Sequence, residues 1–133
     1  MSVEKKTNMD RQYTYKLLRC AYIVYDELGP GLLESIYEEA MQRELSANGF
    51  HVRRQVPVPV FYKGEKLTND LRIDLLVDGK VILELKSVSE YRKLFEKQLF
   101  TYLRLCGCEL GYVINFNVTD LRDGIFPVVN PER

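Results

Sequence analysis

The chain of 133 residues has no tryptophan, one histidine, three cysteines and no net charge, its 19 Lys and Arg balancing 19 Asp and Glu. Each shortage excludes something. Without tryptophan there is no aromatic sugar platform, which argues against a glycosidase built on paired carboxylates. With only His51 and no second cysteine pair, Cys106-Gly107-Cys108 reads as small buried residues at a helix end, not as a metal centre. An odd cysteine count and no expected signal peptide fit a reducing cytoplasm. No apolar run is long enough to span a bilayer. Nucleic-acid binders usually carry a basic excess, so a balanced charge leaves that role to a local basic face.

What is present suits one globular domain with a real core, at 46% hydrophobic and 29% charged residues. It is expected over residues 10–133, behind a polar, disordered tail at 1–9. Helical periodicity runs from Asp10 to Leu28, with Leu17, Leu18, Ala21, Val24, Tyr25 and Leu28 on one stripe. Gly29-Pro30-Gly31 stops it. A second helix spans Leu32 to Ala47, with Leu33, Ile36, Tyr37, Ala40, Met41 and Leu45 inward and Asn48-Gly49 as its cap. Phe50 to Tyr62 alternates. Pro57 and Pro59 remove donors on the same edge, which predicts an edge strand. Lys63-Gly64-Glu65-Lys66 turns the chain. Ser87-Val88-Ser89-Glu90 has capping-box spacing and predicts a third helix to Cys106. Leu110 to Asn115 is a short apolar strand, and a further strand can form around Ile125 to Val129. The order ααβββαβ predicts an α/β sandwich with a mixed sheet, in which the third helix is a crossover.

The most informative segment is Leu71 to Lys86, two apolar runs around Asp78-Gly79 that predict a hairpin. Asp74, Glu84 and Lys86 lie inside those runs, and burying such charges is costly unless they are paired or bind a metal. A two-residue turn would mix charge and hydrocarbon on both faces. A three-residue loop, Val77-Asp78-Gly79 with Gly79 left-handed, puts Leu71, Ile73, Leu75, Val81, Leu83 and Leu85 on one apolar face. Arg72, Asp74, Leu76, Ile82, Glu84 and Lys86 then share the other. A one-residue slip moves every side chain across the sheet, so the pattern selects the bulged register. The plainer reading of that second face is a solvated one, charged for solubility.

Two carboxylates on neighbouring strands can ligate a hard cation such as Mg²⁺, with Mn²⁺ as a substitute, and the Leu85 carbonyl is a natural third ligand. With a lysine beside it, such a centre can polarise a phosphoryl oxygen, activate water and stabilise negative charge. In the third helix Tyr91, Leu94, Phe95, Tyr102 and Leu105 share a face, with Gln98 in its middle. A buried amide needs partners. Gln98 either caps a stray backbone group or points over the sheet toward Asp74 and Glu84.

Asp74 followed by Glu84-Leu85-Lys86 is similar to the core motif of the PD-(D/E)XK nuclease superfamily. Within it, the chain resembles the GxxExxY family through Gly31-Leu32-Leu33-Glu34-Ser35-Ile36-Tyr37. Further matching stretches are Arg54-Gln55-Val56-Pro57-Val58, Tyr62-Lys63-Gly64, Arg72 to Val77, Gln98 to Leu103 and Ile114 to Asn117, so the likeness covers about Leu17 to Val129. The resemblance implies a restriction-endonuclease-like αβββαβ core, with Asp74 and Glu84 as metal ligands and Lys86 as catalytic lysine. It implies that Glu34 approaches the metal through water and that Gln98 joins the site. First-turn dipole stabilisation accounts for Glu34 equally well. Two departures stand out. Tyr25 occupies a position where relatives often have histidine, and Ile73 replaces the proline of the superfamily's name.

These features lead to the expectation of a Mg²⁺-dependent hydrolase of phosphodiester bonds in DNA or RNA. Its rival is a nucleic-acid- or protein-binding regulatory module that keeps the fold without turnover. Arg72, Arg92, Lys93 and Lys97 are the candidate phosphate contacts, with Arg53 and Arg54 nearby, although solvated faces explain any one of them. Tyr13, Tyr15, Tyr22 and Tyr25 can stack bases but suit core and interface as well, which leaves a homodimer open.

Overall fold

Two apolar surfaces of a single sheet set the architecture. The structure is a computed structural model that describes residues 9–132. Its elements are α1 (Arg11–Leu28), α2 (Glu34–Ala47), β1 (Val52–Tyr62), β2 (Glu65–Val77), β3 (Val81–Lys86), α3 (Leu94–Cys106), β4 (Leu110–Asn115), a 3-10 turn (Leu121–Gly124) and β5 (Ile125–Val129). The tail expected at 1–9 lies outside the described residues except for Met9, which packs against the first core. The strands run in the order β1-β2-β3-β4-β5. Only β3 and β4 are parallel, and α3 makes the crossover that a parallel pair requires. The remaining neighbours are antiparallel. The expected α/β order therefore holds, and the last strand forms.

On one face α1 and α2 bury Leu17, Ala21, Val24, Tyr37, Met41 and Leu45 against Leu75, Val77, Val81, Leu83 and Leu85. On the other, Leu99 and Leu103 of α3 cover Val56, Ile73, Leu76, Ile82 and Val113. With both faces covered, β3 and β4 are buried along almost their whole length, as parallel strands in such a sheet are. Beyond the helices β1 and β2 continue as a two-stranded arm, where Phe61 pairs with Lys66 and Tyr62 with Glu65.

Several local expectations are corrected. In α2 Leu33 and Ile36 are exposed, because Leu33 is an extended N-cap and the inward line is Tyr37, Met41 and Leu45, joined by Glu38. The third helix begins at Leu94, not at Ser87. The Ser87 hydroxyl donates to the Leu32 carbonyl (2.6 Å), and Val88 is held from both sides by the Asn115 amide (3.1 Å each), so neither is free to cap a helix. At the hairpin, Val77 pairs with Val81, and both Asp78 (φ 53°) and Gly79 (φ 68°) are left-handed. The extra loop residue is thus Lys80 and not Val77. The shift is by two positions, so the faces assigned to Leu75, Leu76, Ile82 and Leu83 are kept. Asp78 tolerates its backbone because its carboxylate accepts from the His51 amide (2.8 Å) and the Tyr13 hydroxyl (2.6 Å).

The larger correction lies within β2. Leu71 and Ile73 pack beneath α3, opposite to Leu75, so alternation reverses at Asp74. In the ladder to β1, Arg54 pairs with Leu75 and Val56 with Ile73, while Gln55 and Asp74 between them make no pair. Gln55 there adopts φ 50°. The apolar face predicted for Leu71 to Leu85 is accordingly split between two cores.

A buried connection gives the first prediction. A Cβ at position 124 would lie 2.2 Å from the Asn115 carbonyl oxygen, a backbone atom that cannot move without disturbing β4. Gly124→Ala should cost about 2–3 kcal/mol by overpacking, seen as a lower urea midpoint. An unchanged midpoint would show that the turn relaxes freely.

Candidate metal centre

The β2–β3 ladder pairs Leu75 with Leu83, Leu76 with Ile82 and Val77 with Val81. At Asp74 the two strands fork, and carboxylates span the gap. The Asp74 amide donates to Glu84 Oε2 (3.1 Å), and the Leu85 amide donates to Asp74 Oδ2 (2.9 Å). Each acid thus replaces a lost ladder bond and is fixed by the opposite strand. Among the described residues no buried side-chain nitrogen or oxygen lacks a partner, so the remaining carboxylate oxygens are ones that solvent reaches. The Lys86 carbonyl accepts from the Phe116 amide on the β4 side (2.9 Å). Alternation along an extended strand then turns the Leu85 carbonyl toward the fork, beside the acids.

The pair is electrostatically poised. Burial, and then the Asp74 charge, push the Glu84 carboxyl up from 4.5 to about 8. Asp74 is raised by burial and by the charges of Glu38 and Glu34, against the opposing pull of the Leu85 amide and Lys86. Across the fork the Tyr102 hydroxyl is raised, by burial first and then by Glu84 and Asp74. Among the described residues no ion pair engages Asp74, Glu84 or Lys86. Lys86 rests its Nζ 4.5 Å from the centre of the Phe95 ring, close enough to lower both acids. Two hard carboxylates in low dielectric, without a bonded counter-charge, suit a divalent cation. Among the described residues no three His, Cys, Asp or Glu side chains converge on one point, so any ion would take two carboxylates, a carbonyl and water.

The other predicted residues divide. Glu34 opens α2, and its Oε2 accepts from the Ser87 amide (3.3 Å) just past Lys86. It is thus near enough to act on Asp74 while also facing the helix dipole. Gln98 is not the buried amide expected. Leu99 and Leu103 form the inward line of α3, Leu94 and Leu105 are exposed, and Gln98 stands in solvent between Phe95 and Tyr102. The reversal at Asp74 turns Arg72 away from α3, where its Nη1 is 3.5 Å from the Gln55 carbonyl and its Nε 3.9 Å from Asp70. Arg92, Lys93 and Lys97 are exposed at the start of α3, with Lys93 3.8 Å from Glu96.

Tyr37 explains why this turn-and-helix segment has its particular residues. Its hydroxyl donates to the Gly29 carbonyl (2.5 Å) and accepts from the Leu32 amide (3.2 Å), while its ring stacks on Phe116 at 4.2 Å. Gly29 and Gly31 both have positive φ, so the loop folds back onto that hydroxyl and delivers Glu34 to the fork. The Tyr25 hydroxyl donates to the Val118 carbonyl.

Sequence reasoning missed Glu38. It is buried, yet both its oxygens are taken, by Arg54 Nε (3.0 Å) and Gln55 Nε2 (2.8 Å). The available signal was its position one helical turn after Glu34, on the same side of the helix and next to the inward Tyr37.

Three helices, a mixed five-stranded sheet and an acid pair with a lysine at a strand fork define a restriction-endonuclease-like α/β protein. A family description, the PD-(D/E)XK nuclease superfamily, matches residues 11–127, and the chain belongs to that superfamily. Neither a curated protein nor a solved structure matches it. Membership makes the protein nuclease-like, and nucleases of this class usually use divalent metals. No helix among the described residues is long and apolar enough to cross a membrane.

A pH dependence follows from the acid pair. Glu84 prefers to be neutral when folded, so its contribution to stability is full below pH 4.5 and is lost as pH rises through about 8. Metal-free protein should therefore melt at progressively lower temperature across that interval, and Glu84→Gln should flatten the slope. Mn²⁺ should reverse the loss at the alkaline end, where the deprotonated pair would bind an ion. Thermal melts with and without chelator check this, and a flat profile for the native protein would count against the coupling.

Proposed function

We propose that the protein is a Mg²⁺-dependent nuclease of the GxxExxY type, able to use Mn²⁺, that hydrolyses phosphodiester bonds in DNA or RNA. The observation that carries this reading is the exchange between Asp74 and Glu84. Two desolvated carboxylates are locked to opposite strands with Lys86 beside them. Asp74, Glu84 and the Leu85 carbonyl would hold the ion. Once bound, it would supply Lewis-acid polarisation of the phosphoryl oxygen and a water of lowered pKa.

The chain's own residues account for the rest. Lys86 sits against Phe95, a partly apolar surface that strengthens its charge toward a developing oxyanion. Glu34, reaching the segment after Lys86, can order water at the edge of the pair. Gln98, exposed on α3 between Phe95 and Tyr102 in the helical register, would reach a substrate phosphate or an attacking water. Arg92, Lys93 and Lys97 at the start of α3 supply local positive charge on a chain without net charge, which suits contact with a phosphate backbone rather than general adhesion to nucleic acid, while Arg72, turned away from α3, stands apart from them. The exposed Tyr15 and its neighbours on α1 leave room for a homodimer.

Purified protein with Mg²⁺ or Mn²⁺ should cut at least one of single- or double-stranded DNA and RNA. Asp74→Asn should lose roughly a thousandfold in rate, the equivalent of about 4 kcal/mol of charge stabilisation. Lys86→Met should lose about a hundredfold or more. Equal cutting by native protein and Asp74→Asn would refute the assignment. Binding of nucleic acid by both, with cutting by neither, would establish a module without turnover.

A further inference from the structure

The ladder break opposite Asp74 has an identifiable holder. Gln55 is a non-glycine residue at φ 50°, in the middle of a strand, with Val56 and Arg54 on either side in regular pairing. Such a conformation persists only where surrounding contacts impose it. Here they come from α2. Glu38 takes Gln55 Nε2 on one oxygen and Arg54 Nε on the other, and it does so buried at 8% exposure. Arg72 Nη1 reaches the Gln55 carbonyl from the opposite strand (3.5 Å). The residue that faces this break across the ladder is Asp74. Released from β1, it spends its own amide on Glu84 and its carboxylate on Leu85.

We propose that Glu38, acting through Arg54 and Gln55, is a positioning residue for the metal centre: it holds Gln55 left-handed, interrupts the β1–β2 ladder there, and so aims the Asp74 carboxylate across the fork at β3. The inference rests on the metal-centre reading for its consequence, but its geometric content does not. Both Glu38 oxygens accept from β1 side chains, whereas Glu34 accepts from the Ser87 amide just past Lys86, which separates their roles. The buried group is the Glu38 carboxylate, and Arg54 Nε and Gln55 Nε2 supply one donor to each of its oxygens, one of them charge-assisted. The arrangement ties α2, β1 and β2 together where the β1–β2 ladder is interrupted opposite Asp74.

The Leu85 amide reports on the device in metal-free protein, because its partner is Asp74 Oδ2. In the full chain, Glu38→Ala should raise the hydrogen-exchange rate of that amide relative to the β4 amides and weaken Mn²⁺ binding by about 10- to 100-fold in calorimetry, as loss of an outer-shell partner does. Two further variants separate positioning from general support. Gln55→Gly accepts the left-handed backbone and should keep Leu85 protected, whereas Gln55→Val, β-branched and averse to positive φ, should expose it. If Glu38→Ala does not fold, the Gln55 pair decides alone. Native-like Leu85 protection in folded Glu38→Ala, or equal exchange in the two Gln55 variants, would overturn the proposal. Failure of the native protein to bind Mn²⁺ would refute the metal reading instead, with the Leu85 amide still deciding the positioning.

Discussion

The crossed pair of hydrogen bonds at the β2–β3 fork is the contact on which the site depends. Strands that part in a protein interior normally strand amides and carbonyls in low dielectric, at a cost comparable to lost hydrogen bonds. Here Glu84 receives the Asp74 amide and Asp74 receives the Leu85 amide, so the sheet opens without orphaning those donors. The same bonds bring two negative charges together where water is scarce, and Glu84 responds by holding its proton well above the ordinary carboxylate range. Structure and chemistry are thus one arrangement. What satisfies the backbone also sets the two carboxyls side by side in low dielectric.

The surrounding elements serve that fork. β3 is pinned on its far side by parallel pairing to β4, which keeps Glu84, Leu85 and Lys86 in fixed positions. The loop before α2 is drawn in by the Tyr37 hydroxyl and brings Glu34 to the segment after Lys86. From the other layer Phe95 and Tyr102 of α3 face the same opening, one against the Lys86 ammonium and the other within the field of both acids. Two helical layers therefore meet where β2 and β3 part at Asp74.

Much of this was legible beforehand, for local reasons. Leu17, Ala21 and Val24 repeat at helical spacing and are buried together. Leu83 and Leu85 alternate with Glu84, and parity alone assigns them to one face. The Asp74, Glu84 and Lys86 cluster was readable because charges within apolar runs are anomalous wherever the register is known. The misreadings have an equally clear origin. Ser87 to Glu90 has the composition of a helix start, yet its hydroxyl and amides are claimed by Leu32, Glu34 and Asn115, all distant in the chain. Gln98 looked inward on a wheel drawn through Leu94 and Leu105, but those positions are solvent-facing once Leu99 and Leu103 find the sheet. Glu38 was overlooked because an acid in an acidic helix is unremarkable until Arg54 and Gln55 are seen to converge on it.

By itself the sequence determined the order of elements and the bulged hairpin parity, and it singled out the two acids and the lysine as candidates, because these depend on periodicity and on the cost of burying charge. Only the tertiary structure decided that alternation reverses at Asp74, that Gln55 bends the neighbouring strand, and that Glu38 holds it there. A change of face inside a strand leaves no mark on local pattern, since Leu71, Ile73 and Leu75 keep their alternation on paper while two different cores claim them. The reversal sits where groups remote in sequence converge: Glu38 of α2 accepts from the Gln55 side chain, and the Asp74 carboxylate accepts the Leu85 amide of β3.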